Sequence, residues 1–257
     1  MALNFVDSHC HVHMPGYGLD PKAVIKAAKQ AGVNRLICVG CNFDDSRLAI
    51  AMAAKHPGLY ATIGIHPHEA SAIGDDLGSL NALAQLLPND KIVAVGECGL
   101  DYYRREPSKM QIKLLEFQIN LALSQHLPLV FHVREAFADF WPVLDNFKGL
   151  RGVVHSFNAT TKELDQALSR GLYIGLNGIP TFSRDEAQLA AVKAVPLNKI
   201  LLETDAPFLT PTPYRGKVNE SKYIPVIAEF ISNLRGEPLK SIALSTTRNA
   251  ETLFNLK

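Results

Sequence analysis

Strand-like and helical runs alternate from one end of this chain to the other, and that alternation restricts its fold more than any other feature. The strand candidates are NFVDSH, RLICVG, LYATIGIHP, KIVAVGE, PLVFHVR, RGVVHSF, LYIGLNG and KILLETD. Helical stretches such as PKAVIKAAKQAG, SRLAIAMAAKH, SLNALAQLL, KMQIKLLEFQINLALSQH, AFADFWPVLDNF, KELDQALSRG and DEAQLAAVKAV separate them. In the first helix Asp20 is a ready N-cap, Pro21 suits the first turn and Gly32 the stop. Most of the strands are continuous apolar runs, as expected where helices cover both faces of a parallel sheet. The pattern predicts an α/β fold, a single (β/α)8 TIM-type barrel over residues 1–257. After the eighth strand come a Pro-rich loop, PFLTPTPYRGKVNESKY, and two helical segments, the last an extra C-terminal helix. A doubly wound open sheet is the alternative, but no Gly-x-Gly-x-x-Gly follows an early strand.

A chain of 257 residues with 47% apolar and 20% charged side chains has the makeup of a globular protein with a sizeable core. Its 26 basic and 25 acidic residues leave a formal charge of +1, so bulk electrostatics give no reason to coat nucleic acid or membrane. A polyanionic partner would need a local site. No run approaches the length of a membrane span and no leader-like segment opens the chain, so the expectation is a cytoplasmic protein with no membrane partner and no obligate protein partner. Cys10, Cys38, Cys41 and Cys98 are too few for a disulfide scaffold. Cys38-Val-Gly-Cys41 has redox or zinc spacing, but it ends a strand-like run instead of opening a helix, which favours ordinary thiols.

The stretch FVDSHCHVH, residues 5–13, sets imidazoles at every second position. On a strand, Asp7, His9 and His11 would project to one side, neighbours about 6–7 Å apart, close enough for the two imidazoles to share an ion. Seven of the nine histidines (His9, His11, His13, His66, His68, His132 and His155) fall at or just beyond the C-terminal end of a predicted strand. His56 and His126 sit near helix ends, where a cationic tip suits the dipole. The carboxylates follow the same geography: Glu97 ends KIVAVGE, and Glu203 and Asp205 end KILLETD. In a barrel these ends meet at the face where active sites are built.

His9 with His11 and Asp205 can hold one divalent ion, His132 with His155 a second, and Glu97 can bridge them. Two cations about 3.5–4 Å apart can activate a water and neutralise charge on a phosphoryl or carbonyl oxygen. Imidazole with carboxylate suits Zn²⁺, Mn²⁺ or Fe, accepts Mg²⁺ if waters complete its shell, and does not suit Ca²⁺. Each residue also has a plainer use: a strand-end His can be a satisfied polar group, Glu97 can pair with an Arg, Asp205-Ala-Pro can open a turn, and Glu203 can orient a ligand or face solvent. The plainer uses would have to coincide on five separate strands.

At these residues the chain resembles the TatD family of metal-dependent hydrolases and deoxyribonucleases, within the amidohydrolase superfamily. The matching pieces run through nearly its whole length: Asp7-Ser-His-Cys-His11, Gly64-Ile-His-Pro-His68, Gly96-Glu-Cys-Gly-Leu-Asp-Tyr-Tyr103, Leu129-Val-Phe-His-Val-Arg134, Val154-His-Ser-Phe157, Leu202-Glu-Thr-Asp-Ala-Pro207 and Arg215-Gly-Lys-Val-Asn219. The resemblance implies a distorted barrel, two divalent metals, and removal of nucleotides from the 3′ ends of single-stranded DNA. It implies His9, His11, Glu97, His132, His155 and Asp205 as ligands, with Glu97 and Asp205 catalytic. It sets His66, His68, Arg134 and the loop of Arg215, Lys217 and Asn219 beside the substrate phosphates, and Tyr102 or Tyr103 within reach of a base. Cys98, Asn158-Ala159 and Ser221 depart from the family's usual residues, which bears on the pocket rim and not on the ligands.

Two other functions compete. The same bimetallic chemistry hydrolyses carboxylic esters, lactones or amides, and a metal-binding scaffold needs no catalysis at all. The complete ligand set argues against the scaffold, and Arg215-Gly-Lys217 leans toward phosphate over carbonyl substrates. DNA and RNA are not distinguished by these residues.

Overall fold

A computed structural model describes residues 3–74, 77–103 and 108–256. In chain order its main elements are β1 (Phe5–Cys10), α1 (Pro21–Gln30), β2 (Val33–Cys38), α2 (Phe43–Lys55), β3 (Leu59–Ile63), α3 (Ala70–Ile73), α4 (Leu77–Ala84), β4 (Ile92–Asp101), α5 (Ser108–Ser124), β5 (Leu129–Arg134), α6 (Phe137–Asp145), β6 (Gly152–Val154), α7 (Thr161–Ser169), β7 (Tyr173–Leu176), α8 (Glu186–Ala194), β8 (Ile200–Leu202), α9 (Ile224–Arg235) and α10 (Leu239–Phe254). The strands are parallel and stand in the sheet in chain order, β1 to β8, which is the (β/α)8 barrel arrangement. The extra C-terminal helix is α10.

Two boundaries differ usefully from the sequence expectation. Strand β4 does not stop at Glu97 but runs on to Asp101, all ten residues buried. Helix α2 begins three residues before SRLAIAMAAKH, because the Asn42 side chain caps it, accepting from the Asp45 N–H at 3.0 Å. Asp44 and Asp45 in its first turn suit the positive end of the dipole.

The chain gathers into two compact units, Met1–Ile37 with Ser156–Lys257, and Cys38–His155. In the first, α1 starts as its sequence predicts: the Asp20 carboxylate accepts from the Lys22 N–H at 3.1 Å and Pro21 fills the first turn. Gly32 follows its C-cap at φ 84°, a conformation that suits glycine best. The apolar face of α10 buries Ile242, Ala243, Ala250, Leu253 and Phe254. Burying Ile242, Leu253 and Phe254 contributes about 1.5–3 kcal/mol each. The same helix grips the starts of two strands: Thr247 donates to the Asn4 carbonyl at 2.8 Å, and the Asn249 amide to the carbonyls of Leu197 at 2.9 Å and Ile200 at 2.8 Å. The entry ends of β1 and β8 are thereby pinned, so their far ends are held in place.

In the second unit Ile63, Ile65, Leu83, Ile92 and Leu114 form a packed cluster. Across it, α5 presents two glutamines seven residues apart, two helical turns and therefore one face. Gln118 accepts from the Ile65 N–H at 2.7 Å and donates to its carbonyl at 3.0 Å. Gln111 does the same for Asp101, at 2.7 and 3.0 Å. Two buried side-chain amides thus complete main-chain hydrogen bonding where regular structure stops. No helix among the described residues is long and apolar enough to cross a membrane.

Candidate active site

In the first unit β1 carries His9 and His11 to its C-terminal end, with their Nε2 atoms 3.2 Å apart. Asp205, three residues past β8, brings Oδ1 to 3.6 Å from His9 Nε2 and 3.4 Å from His11 Nε2. Main-chain hydrogen bonds fix this meeting: the Asp205 N–H donates to the His9 carbonyl at 2.9 Å, and the His11 N–H to the Ala206 carbonyl at 2.8 Å. Asp205 itself sits at φ 58°, a left-handed conformation that Asp tolerates better than most residues.

Two further carboxylates of this unit are engaged elsewhere. Asp7 is fully buried and accepts from the Thr204 N–H at 3.0 Å, the Thr204 hydroxyl at 2.6 Å and the His9 N–H at 3.3 Å. Burial pushes its carboxyl up to about 7, and those hydrogen bonds pull the other way. Glu203, also buried, accepts from the Ser156 N–H. It is therefore no surface acid. A Cβ at position 175 would lie 2.3 Å from its carboxylate, so Gly175 makes room for it.

In the second unit three imidazoles surround one oxygen. Glu97 Oε1 lies 2.8 Å from His132 Nδ1, 3.3 Å from His155 Nε2 and 3.5 Å from His66 Nε2. His132 extends from β5, which passes close to β4 because residue 99 is glycine: a Cβ there would come 1.9 Å from the His132 carbonyl oxygen. Burial lowers the pKa of His132, but hydrogen bonds to Asp101 and Glu97 outweigh that, and the net shift is upward. Burial brings His66 down to about 4 against the opposing pull of Glu97, so this ring is neutral near pH 7. Its Nδ1 accepts from the His68 N–H at 3.1 Å, which puts the proton on Nε2, facing Glu97 as a donor. That tautomer makes His66 a hydrogen-bond donor here and leaves His132 and His155 as the better ligands.

The residues expected near substrate divide by environment. Arg134 stacks over the ring of Tyr103 at 3.5 Å, and Tyr103 is 58% exposed. The Tyr102 hydroxyl is committed to Asp139 at 2.9 Å. His68 donates toward Asp101 at 2.8 Å. Arg215 and Lys217 are exposed, with Arg215 lying 3.9 Å over Phe182 and donating to the Thr210 carbonyl at 2.8 Å. Asn219 is fully buried, and its amide donates to the carbonyls of Thr204 at 2.8 Å and Phe208, so it shapes the loop that follows Asp205.

Sequence reasoning missed Asp101, Gln111 and Gln118. A signal for Asp101 was present: the apolar run of β4 continues past Glu97, and Asp101 lies four residues on, the same side of a strand. The thiol of Cys41 lies 3.9 Å from Glu97 Oε2, while Cys10, Cys38 and Cys98 are buried. Burial raises the Cys98 thiol far above its usual range, an unreactive setting.

The donors fit divalent metals. His9, His11 and Asp205 have ligand atoms within 4.8 Å of one another, and Glu97 Oε1 lies 2.8 Å from His132 Nδ1 and 3.3 Å from His155 Nε2. Imidazole nitrogen with carboxylate oxygen is the chemistry of Zn²⁺, Mn²⁺ or Fe sites, with Mg²⁺ admissible. Such sites can polarise phosphoryl or carbonyl oxygens.

Residues 6–255 match the sequence profile of the TatD related DNase family. The chain is 33% identical over 253 residues to an uncharacterized metal-dependent hydrolase of Bacillus subtilis, YabD, covering 97% of this chain and 98% of that one. It is 36% identical over 245 residues to the 3′-5′ ssDNA/RNA exonuclease TatD of Citrobacter rodentium, covering 92% of each. Among solved structures, YjjV, a TatD homologue from Escherichia coli K12, superposes with a TM-score of 0.92 at 31% identity over 98% of both chains.

Proposed function

The chain belongs to the TatD related DNase family and is a metal-dependent hydrolase, and from that premise we propose that it is a phosphodiesterase removing nucleotides from the 3′ ends of single-stranded DNA or RNA with two divalent ions. The observation that carries this reading is the pair of imidazole and carboxylate groups at strand ends, His9, His11 and Asp205 in one unit and Glu97, His132 and His155 in the other. These six are the proposed ligands, and the bridging role of Glu97 comes from the family resemblance. The exonuclease name of relatives about one-third identical supports a nucleic-acid substrate. A cytoplasmic setting, where thiols stay reduced, goes with it.

Bound divalent ions supply Lewis acidity, rendering water nucleophilic and neutralising charge on a phosphoryl oxygen. The protein's own groups do the rest. Asp205 accepts a proton from the attacking water. The exposed Arg134, Arg215 and Lys217 donate to phosphate oxygens, with His66 and His68 beside them. Asn219 acts by holding the loop after Asp205. Tyr103, stacked on one face by Arg134, offers its exposed ring to a base.

The test incubates protein reconstituted with Zn²⁺, Mn²⁺ or Mg²⁺ with end-labelled single strands, 3′-blocked strands, duplexes and a panel of carboxylic esters. Stepwise shortening from free 3′ ends supports the proposal. Cleavage indifferent to a 3′ block, or turnover of esters alone, overturns it.

A further inference from the structure

Asp101 ends β4 four residues beyond Glu97 and is fully buried. Its Oδ2 accepts from His132 Nε2 at 3.0 Å and His68 Nε2 at 2.8 Å, and its Oδ1 from the Tyr103 N–H at 3.0 Å. Gln111 holds its main chain on both sides, at 2.7 and 3.0 Å. A carboxylate oxygen has room for two donors, so His68 braces Asp101 from the more exposed side while His132 meets it from within.

The ring of His132 lies between two carboxylates, with Nδ1 2.8 Å from Glu97 Oε1 and Nε2 facing Asp101. A neutral imidazole has one proton to give, and the nitrogen that carries it cannot ligate a metal. We infer that Asp101 is a positioning residue that holds His132 as its Nε2–H tautomer, leaving the Nδ1 lone pair on the Glu97 side for a divalent ion. The inference rests on the metal-dependent reading above. The physical reason is general: a metal-binding histidine whose other N–H is held by a carboxylate has a fixed ring and a more basic donor nitrogen, and loss of that partner weakens metal binding about 10–100-fold. Rigid support matters as much as charge. Asp101 is gripped through both main-chain groups and both side-chain oxygens, so the ring it holds has little freedom to flip.

The experiment uses the full chain labelled with ¹⁵N-histidine and loaded with Zn²⁺, the His132 signals being identified by their loss in His132→Gln. The expected spectrum has Nε2 protonated and Nδ1 bound to zinc. In Asp101→Asn the amide NH₂ can donate to Nε2 and drive the proton to Nδ1, so zinc affinity at the site containing His132 should fall about 10–100-fold by chelator competition. The His9–His11–Asp205 site should keep its affinity. Zinc bound through Nε2 of the wild type, or unchanged affinity in Asp101→Asn, overturns the inference alone. A wild type that binds no zinc overturns the metal-dependent reading with it. If Asp101→Asn does not fold, the wild-type spectrum decides.

Discussion

Asp7 and Thr204 lie 197 residues apart in the chain, yet the buried carboxylate of Asp7 accepts hydrogen bonds from both the main-chain N–H and the hydroxyl of Thr204. Thr204 directly precedes Asp205, so this double contact aims the Asp205 carboxylate toward His9 and His11. Thr204→Val should cost about 1–3 kcal/mol in urea unfolding, the typical cost of leaving a buried acceptor without its donor. It should also weaken metal binding at the His9–His11–Asp205 group. Stability and metal affinity equal to wild type would show that the contact does no positioning.

Glu97→Gln keeps shape and removes the charge that three imidazoles face. Turnover at saturating metal should fall by at least ~100-fold, more than the 10–100-fold usual for residues that merely support a ligand. The circular dichroism spectrum should stay that of wild type. Wild-type turnover would remove Glu97 from the metal site.

Gln118→Leu breaks both hydrogen bonds to Ile65 and leaves a main-chain N–H and C=O buried without that partner. At about 1–3 kcal/mol for each orphaned group, the loss of unfolding free energy should be about 2–6 kcal/mol. A shift in denaturant midpoint with unchanged slope is the expected signature.

Chelator treatment should abolish hydrolysis and lower the thermal midpoint, and Zn²⁺ or Mn²⁺ should restore both. An ion present at 100 times its dissociation constant stabilises the fold that binds it by about 2.7 kcal/mol. An activity that survives exhaustive dialysis against chelator would contradict metal dependence.

A formal charge of +1 means no broad excess of cationic charge to release counterions from DNA, so affinity should rest on a few local contacts. Lys217→Ala should therefore weaken binding to single strands of any sequence and reduce the slope of affinity against salt by about 1. Metal content should not change. An unaltered salt slope would take Lys217 off the substrate path.

The fold class was legible in the sequence because each element is a local matter: apolar runs of strand length, helices with caps such as Asp20, and stops such as Gly32 need only their neighbours. The position of His9, His11, His132 and Asp205 at strand ends was legible for a related reason, since reactive groups there have one place to go in a barrel. The end of β4 was not, because the strand expectation KIVAVGE stops at Glu97 and the extension to Asp101 depends on β5 pairing with it at Gly99 and His132.

What only the tertiary structure decided are the contacts that depend on strand register and helix rotation. Asp7 reads only as a neighbour of His9 and His11 on one side of the strand, and its partner is Thr204 on another strand's end. His66 reads as an imidazole of either tautomer, and the proton was located by its Nδ1 accepting from His68. Gln111 and Gln118 read as ordinary helix residues, and Asp101 lies past the expected end of its strand. Their roles come from which face of α5 meets β4 and the segment after β3. Side-chain period tells which residues share a face, while the partner each face meets is set by packing between elements far apart in the chain.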